Sequence, residues 1–187
     1  MSKLLAIGFS AGGIPLTQTL LNALAPAYPL PIVVITHLPN YYDSGLIDLF
    51  NRVVALPVSM AFDKEPIHSG HVYFAPPDYH LLIERPGYFA LSHDARVKAV
   101  RPSIDVFLKS AAEIYEKDLL AVILSGANSD GADGMATVKS LGGVTIVLDP
   151  LQTDFRTMPA AVLDAVDVDY VASLDDITAL LQSVQES

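Results

Sequence analysis

Short apolar runs alternate with amphipathic segments along most of this 187-residue chain. Lys3–Gly8 and Pro31–Thr36 are runs of the first kind, and Ile14–Ala25 between them places apolar residues at helical spacing. Such alternation is typical of βαβ units, which build a parallel sheet covered by helices on both faces. The sequence therefore predicts a doubly wound α/β fold with a mostly parallel sheet.

The middle of the chain breaks this alternation. Strand candidates Tyr79–Glu84 and Tyr88–Ser92 are joined by Arg85-Pro86-Gly87, which is typical of a tight turn, so we expect an antiparallel hairpin excursion near residues 79–92. The other predicted elements are helices over Leu46–Arg52, Ser103–Tyr115 (with Ser103 as a cap), Gly131–Leu141, Met158–Ala165 and Asp175–Val184, and strands over Val58–Phe62, Val72–Ala75, Leu119–Ser125 and Val144–Leu148.

Composition excludes several classes of protein. Hydrophobic residues make up 51% of the chain and charged residues 17%, so we expect residues 1–187 to form a single domain. No apolar run approaches the ~20 residues of a membrane span, and the N-terminus lacks a signal-peptide pattern. We therefore expect a cytoplasmic protein without membrane insertion. The absence of cysteine excludes disulfides and thiolate sites, and a net charge of −10 disfavours nucleic acid as a partner.

The first candidate for chemistry is a serine on a glycine-flanked turn. Ser10 follows the first predicted strand, with Gly8 before it and Gly12-Gly13 after it. A strand-to-helix turn of this kind exposes the serine beside free N–H groups, which suits a nucleophile next to an oxyanion hole. The alternatives are a phosphate-binding turn or a helix cap, although neither the dinucleotide fingerprint nor the nucleotide P-loop is present.

Two further polar residues follow predicted strands. His37 comes after the second strand and could act as a general base, and Asp130 lies in the glycine-rich loop after Leu119–Ser125. Because ligands bind at the carboxyl ends of parallel strands, we predict a triad of Ser10, His37 and Asp130. Asp133 is a competing acid. The histidine could also be solvated, and either aspartate could merely cap the helix that begins near Gly131.

The remaining histidines fit no such site. His68 and His71 are three residues apart and would bind a metal only if carboxylates joined them, so we expect a solvated turn and no metal. His80 and His93 flank the predicted hairpin, and we expect them at the surface or at its rim.

Seven motifs, in order along nearly the whole chain, resemble the chemotaxis receptor-glutamate methylesterases (CheB), specifically their carboxyl-terminal catalytic domain. The motifs are Ile7–Gly13, Thr36–Pro39, Val72–Leu81, Val100–Asp105, Ser125–Met135, Gly142–Thr145 and Met158-Pro159.

By position, the resemblance implies that Ser10 is the nucleophile, His37 the base and Asp130 the acid. It implies hydrolysis of γ-glutamyl methyl esters, with deamidation of glutamines in some members, on methyl-accepting chemotaxis receptors or other glutamate-methylated proteins. No metal or organic cofactor is implied. We expect Ala11, Gly12 and Ala127 in the vicinity of the oxyanion and the substrate.

The chain departs from the family pattern beside this site. Members commonly have threonine where this chain has Ala11, and Gly-Met-Gly where it has Gly126-Ala127-Asn128. Loss of one good oxyanion donor costs on the order of 100–1000-fold in rate. The alternative is therefore a catalytically weakened binding or regulatory module in a signalling assembly, and nucleotide binding at the Gly12-Gly13 turn is a third possibility.

Two further expectations concern context. Members usually carry a receiver domain before the catalytic one, and we expect none here because the chain starts at the catalytic strand. A net charge of −10 does not attract glutamate-rich receptor helices, although Arg96, Lys98 and Arg101 could compensate on one face. The sequence leaves the oligomeric state open.

Overall fold

The structure, a computed structural model, describes residues 3–37, 43–85 and 87–184. Pro86 of the predicted turn and Leu38-Pro39 of the His37 motif lie outside these residues. The strands are β1 Leu4–Phe9, β2 Ile32–Thr36, β3 Val58–Met60, β4 Val72–Phe74, β5 His80–Arg85, β6 Tyr88–Ser92, β7 Leu119–Ile123, β8 Val144–Leu148 and β9 Tyr170–Ala172. The α-helices are α1 Gly13–Asn22, α2 Asp43–Asn51, α3 Ile104–Tyr115, α4 Ala132–Ser140, α5 Thr157–Ala165 and α6 Leu174–Ser183. Short 3₁₀ turns cover Glu116–Asp118 and Pro150–Gln152.

A seven-stranded sheet has the order β3-β4-β2-β1-β7-β8-β9, and its neighbouring strands all run parallel. The chain places β2, β3 and β4 on one side of β1, with β3 at the edge, and then returns to place β7, β8 and β9 on the other side. In a doubly wound sheet this reversal opens a crevice at the carboxyl ends of the central strands. The hairpin of β5 and β6 forms a separate antiparallel pair. The predicted fold class and hairpin are confirmed.

Two apolar clusters, one on each face of the seven-stranded sheet, hold the helices against the sheet. Along β1, Leu4 and Ala6 belong to one cluster, and Leu5 and Ile7 belong to the other, as the two-residue period of a strand requires. The first cluster includes buried residues of α3, α4, α5 and the hairpin, and the second includes those of α1, α2 and α6. Both faces of the sheet are therefore covered, which agrees with strands that are apolar along their whole length.

The helix caps follow from local sequence. Ser103 precedes α3 and its hydroxyl accepts a hydrogen bond from the Val106 N–H, and Ser173 does the same for α6 with the Asp176 N–H. The Ser103 cap was predicted. Strand β9 was not, because its three residues are exposed or half-buried and show no apolar pattern. None of the helices in the described part of the chain is long and apolar enough to span a membrane.

Candidate active site

The strand register places Ser10 beside His37. Strands β1 and β2 pair Phe9 with Thr36, and Ser10 and His37 are the first residues after the two strands. The backbones of neighbouring strands lie about 5 Å apart. Both residues are half-buried, at the carboxyl end of the sheet where the sequence predicted them.

The turn that carries Ser10 is fixed against the end of β7. The Ser10 N–H donates to the Ser125 carbonyl at 2.7 Å, and the Ser125 hydroxyl donates to the Ala11 carbonyl at 2.9 Å. Gly12 has a φ of +75°, and a β-carbon there would lie 2.6 Å from the Phe155 ring. Only glycine fits this position, because the backbone is left-handed and the aromatic ring occupies the space a side chain would need.

His37 and Asp130 are in direct contact. The ring nitrogen Nε2 lies 2.8 Å from Asp130 Oδ2, and the two side chains are 9% and 0% exposed. The structure thus brings together residues 93 positions apart in the sequence.

The Asp130 carboxylate accepts four hydrogen bonds. The donors are His37 Nε2 (2.8 Å), the Ser103 hydroxyl (2.8 Å), the Ile104 N–H (2.6 Å) and the Asp105 N–H (3.1 Å). Burial would raise the pKa of Asp130, but the hydrogen bonds from His37, Ile104 and Ser103 outweigh it and the pKa is lowered. Because an ionised carboxylate can only accept, the His37 Nε2 atom carries the hydrogen.

The interpretation of Asp130 as a cap of the helix that begins near Gly131 is wrong. Its backbone donors, the N–H groups of Ile104 and Asp105, belong to the first turn of α3 and not to α4, the helix that follows it in sequence. The carboxylate caps α3 and binds His37 at the same time. Asp133, the competing acid, is 59% exposed and lies 3.0 Å from the Lys98 ammonium instead.

A second buried aspartate supports the first. Asp105 Oδ1 accepts from the N–H groups of Gly131 and Gly134, at 2.9 and 2.7 Å, and Oδ2 lies 2.8 Å from the Lys98 Nζ. Burial raises the pKa of Asp105, and the hydrogen bonds from Lys98 and Gly134 do not cancel that effect. Asp105 was not predicted as a site residue, although an acid two residues after a serine cap marks a helix start.

Asn128 also reaches the histidine. Its Nδ2 lies 3.1 Å from His37 Nδ1, and its Oδ1 accepts from the Asp130 N–H at 3.0 Å. In the sequence, Asn128 stands out only as a departure from a family pattern. No sequence signal places its side chain on the imidazole, since that contact depends on the path of the loop.

Arg96, Lys98 and Arg101, which could compensate for the negative net charge on one face, each form an ion pair with an aspartate. Arg101 Nη2 lies 2.9 Å from Asp78 Oδ1, and Arg96 Nη2 lies 3.4 Å from the same atom. Lys98 contacts both Asp105 and Asp133. Because these aspartates neutralise much of their positive charge, the three residues offer little attraction to an acidic substrate.

Two expectations about the other histidines were wrong. His80 is 1% exposed, and its Nε2 lies 3.0 Å from the Ala95 carbonyl oxygen, because its side chain turns inward from the hairpin. His71 is half-buried, since its ring stacks on Tyr73 and its Nε2 lies 2.8 Å from the Ser59 hydroxyl. His93 and His68 are exposed, as expected.

A cleft of about 500 Å³ opens beside the Ser10 turn. Gly12, Leu16, Leu151, Phe155 and Arg156 are among its lining residues. Its outer wall is tied to the loop after β7, because the Gly126 N–H donates to the Phe155 carbonyl and the Met158 N–H donates to the Gly126 carbonyl. The cleft therefore combines apolar side chains with polar ones, which include the Asp154 carboxylate and the Arg156 guanidinium.

Comparison with known proteins agrees with this architecture. A family model described as CheB methylesterase matches residues 5–181. A provisionally named protein-glutamate methylesterase/protein-glutamine glutaminase from Leptospira interrogans is 43% identical over 176 residues, which cover 94% of this chain and 91% of that protein.

Other relatives are longer. A protein-glutamate methylesterase/protein-glutamine glutaminase from Thermotoga maritima is 35% identical over 172 residues, covering 90% of this chain and 50% of that protein. The chain spans about half the length of such relatives. The crystal structure of the Thermotoga maritima CheB methylesterase catalytic domain matches with a TM-score of 0.93 at 34% identity, covering 98% of this chain and 99% of that one. The resemblance seen in the sequence is confirmed: the chain belongs to the CheB methylesterase family.

Proposed function

We propose that this protein is a serine esterase that hydrolyses γ-glutamyl methyl esters on methylated proteins such as chemotaxis receptors, with Ser10, His37 and Asp130 as its catalytic triad. The observation that carries the proposal is the contact between His37 Nε2 and the buried, ionised Asp130, beside Ser10 on the neighbouring strand. Family membership supplies the substrate class.

The position of the hydrogen on His37 Nε2 determines which ring nitrogen acts as the base in the reaction. The Ser10 hydroxyl attacks the ester carbonyl carbon, and its proton passes to His37 Nδ1, the nitrogen that Asp130 leaves available. Asp130 stabilises the resulting imidazolium through Nε2. As the C–O bond to the methoxy group breaks, Nδ1 returns the proton and methanol leaves. Water, activated by the same nitrogen, then cleaves the glutamyl–Ser10 ester and restores both groups.

Backbone donors support stabilisation of the oxyanion. Among the described residues, the N–H groups of Ala11, Gly12 and Ala127 donate to no backbone carbonyl. Each lies next to the Ser10 turn or at the carboxyl end of β7, where the developing negative charge would form. Because these donors are main-chain groups, the alanines at 11 and 127 do not remove them.

The cleft beside Gly12 suits an amphipathic segment of a partner protein, because its lining combines apolar side chains with one acidic and one basic residue, Asp154 and Arg156. Leu151 is 74% exposed and Phe155 is 44% exposed, so both offer apolar surface to a substrate. Arg156, on the same wall, is exposed and could bind a glutamate neighbouring the ester. Such local binding would offset the unfavourable net charge of −10. The expectation of a cytoplasmic location stays a prediction.

The competing hypothesis is a binding module that has lost catalysis. Ala11, Ala127 and Asn128, which depart from the family pattern beside Ser10, favour it. It differs from the proposal in one observable respect: a passive module has no activated serine.

A fluorophosphonate tests the proposal, because it phosphonylates only activated serines. We expect peptide mass spectrometry to find the adduct on Ser10, and to find it lost in Ser10→Ala and strongly reduced in His37→Ala. Ser59, whose hydroxyl lies 2.8 Å from His71 Nε2, is the matched control. Ser59→Ala should leave labelling unchanged, since no carboxylate among the described residues contacts His71 as Asp130 contacts His37. Labelling elsewhere than Ser10, or none, would contradict the proposal.

A further inference from the structure

Asn128 bridges the acid and the base of the proposed triad. Its side chain is half-buried in the loop between β7 and α4, with one end at the Asp130 N–H and the other at His37 Nδ1. The mechanism above gives this side chain no role, although it contacts the nitrogen that has to accept the serine proton.

The orientation of the Asn128 amide follows from its partners. A backbone N–H can only donate, so the atom that faces the Asp130 N–H at 3.0 Å must be the carbonyl oxygen. The NH₂ group therefore faces His37 Nδ1 at 3.1 Å. For that contact to be a hydrogen bond, Nδ1 must be the unprotonated nitrogen of the ring.

An independent contact gives the same result. The ionised Asp130 carboxylate requires a hydrogen on Nε2, and a neutral imidazole carries only one. The two neighbours of His37 thus agree on a single tautomer, with the hydrogen on Nε2 and the lone pair on Nδ1. This is the tautomer in which the histidine can act as a base toward Ser10.

We propose that Asn128 is a positioning residue that fixes this tautomer and, in the resting protein, occupies the Nδ1 lone pair that Ser10 needs. The inference rests on the proposed function. Among the residues that the structure describes, Nδ1 is hydrogen-bonded to Asn128 and not to Ser10. An imidazole nitrogen offers one in-plane lone pair, so the amide and the serine hydroxyl compete for it.

The competition continues after proton transfer. Once Nδ1 has taken the serine proton, an N–H of the imidazolium would point at the NH₂ of Asn128, and two donors would face each other. The amide must therefore move away for Ser10 to be acylated. Glycine, which the family commonly has here, imposes no such step.

The rate of Ser10 acylation measures this competition. A hydrogen bond of ordinary net strength corresponds to roughly a 2–10-fold effect on an equilibrium or rate. We expect Asn128→Ala and Asn128→Gly to react with the fluorophosphonate roughly 2–10-fold faster than the unsubstituted protein. Ser129→Gly is the matched control, because it adds the same flexibility at an exposed position of the same loop and should leave the rate unchanged.

A spectroscopic measurement separates positioning from a general change in the loop. In the Ser10→Ala background, we expect Asn128→Ala to shift the ¹⁵N resonance of His37 Nδ1 as the amide donor is lost. The Nε2 resonance should still report an attached hydrogen, since Asp130 is retained.

The outcomes are distinct. Labelling of Ser10 in the unsubstituted protein with no gain in either Asn128 variant, or an unshifted Nδ1 resonance, overturns this inference and leaves the proposed function standing. No labelling of Ser10 in any variant overturns the proposed function and the role of Asn128 together.

Discussion

Asp105 and Asp130 cap each other's helices. The Asp130 carboxylate accepts from the N–H groups of Ile104 and Asp105 at the start of α3, and Asp105 Oδ1 accepts from Gly131 and Gly134 at the start of α4. Negative charge is favourable at both helix N-termini. These reciprocal hydrogen bonds join the start of α3 to the start of α4 and fix the position of the Asp130 carboxylate, which contacts His37.

Asp130→Asn should abolish activity and also destabilise the fold. An amide has one oxygen in place of two, and its NH₂ group would face donors at a site that needs four acceptor positions. We expect ester hydrolysis to fall by about 10⁴-fold, as when the triad acid is neutralised in serine proteases. Initial rates and thermal unfolding check both effects, and retention of more than a tenth of the activity would contradict the assignment.

Acid should destabilise the protein through Asp130. Its pKa is lowered in the folded state, so its stabilising contribution is present above the unfolded-state pKa of about 4 and is lost as the pH falls further. Denaturant unfolding between about pH 5 and pH 2 should show a falling free energy of unfolding. The slope should be smaller in Asp130→Asn. An equal slope in both proteins would show that protonation of Asp130 does not cause the loss of stability in acid.

Asp105 should have the opposite effect on the pH dependence of stability, lowering the free energy of unfolding as the pH rises. Its pKa is raised in the folded state, so ionisation costs stability as the pH rises above the unfolded-state value of about 4. Asp105→Asn removes this cost but also weakens the hydrogen bonds to Gly131 and Gly134. We expect its stability, relative to the unsubstituted protein, to improve as the pH rises above about 4. A relative stability that does not change with pH would contradict the raised pKa.

Lys98→Met should destabilise the protein more than Lys64→Met. Lys98 is 29% exposed and contacts Asp105, which is 1% exposed, whereas Lys64 and its partner Glu84 are 59% and 53% exposed. Both lysines have a positive φ, so the backbone cost is matched. We expect a loss of about 1–3 kcal/mol for Lys98→Met, because a buried charge is left uncompensated, and under about 1 kcal/mol for Lys64→Met. Chemical denaturation measures both, and similar losses would contradict the structural role of Lys98.

Gly12→Ala should impair both stability and acylation. Gly12 and Gly87 have similar left-handed φ values, +75° and +80°, but only at Gly12 would a β-carbon meet a ring, that of Phe155. Gly87→Ala is the matched control, since both substitutions carry a backbone cost of about 1 kcal/mol. We expect Gly12→Ala to lower fluorophosphonate labelling of Ser10 at least tenfold and Gly87→Ala to leave it unchanged. Equal labelling would show that the turn tolerates a side chain.

The sequence contained most of the fold because the apolar runs of its strands, the helical spacing of apolar residues and the serine cap of α3 are local features. Ser103 was predicted as a cap, and Ser10, His37 and Asp130 were each placed after the correct strand. The burial of His80, the role of Asp105 and the contact of Asn128 with His37 were not predicted. Each depends on which distant segments pack together, and no local pattern in the sequence encodes that.

The most direct test measures methanol released from a methyl-esterified γ-glutamyl peptide. We expect steady release by the unsubstituted protein and at least a 1000-fold lower rate in Ser10→Ala, because the residual rate would rest on binding and oxyanion contacts alone. Release by Ser10→Ala at a comparable rate would contradict the central claim that Ser10 carries the reaction.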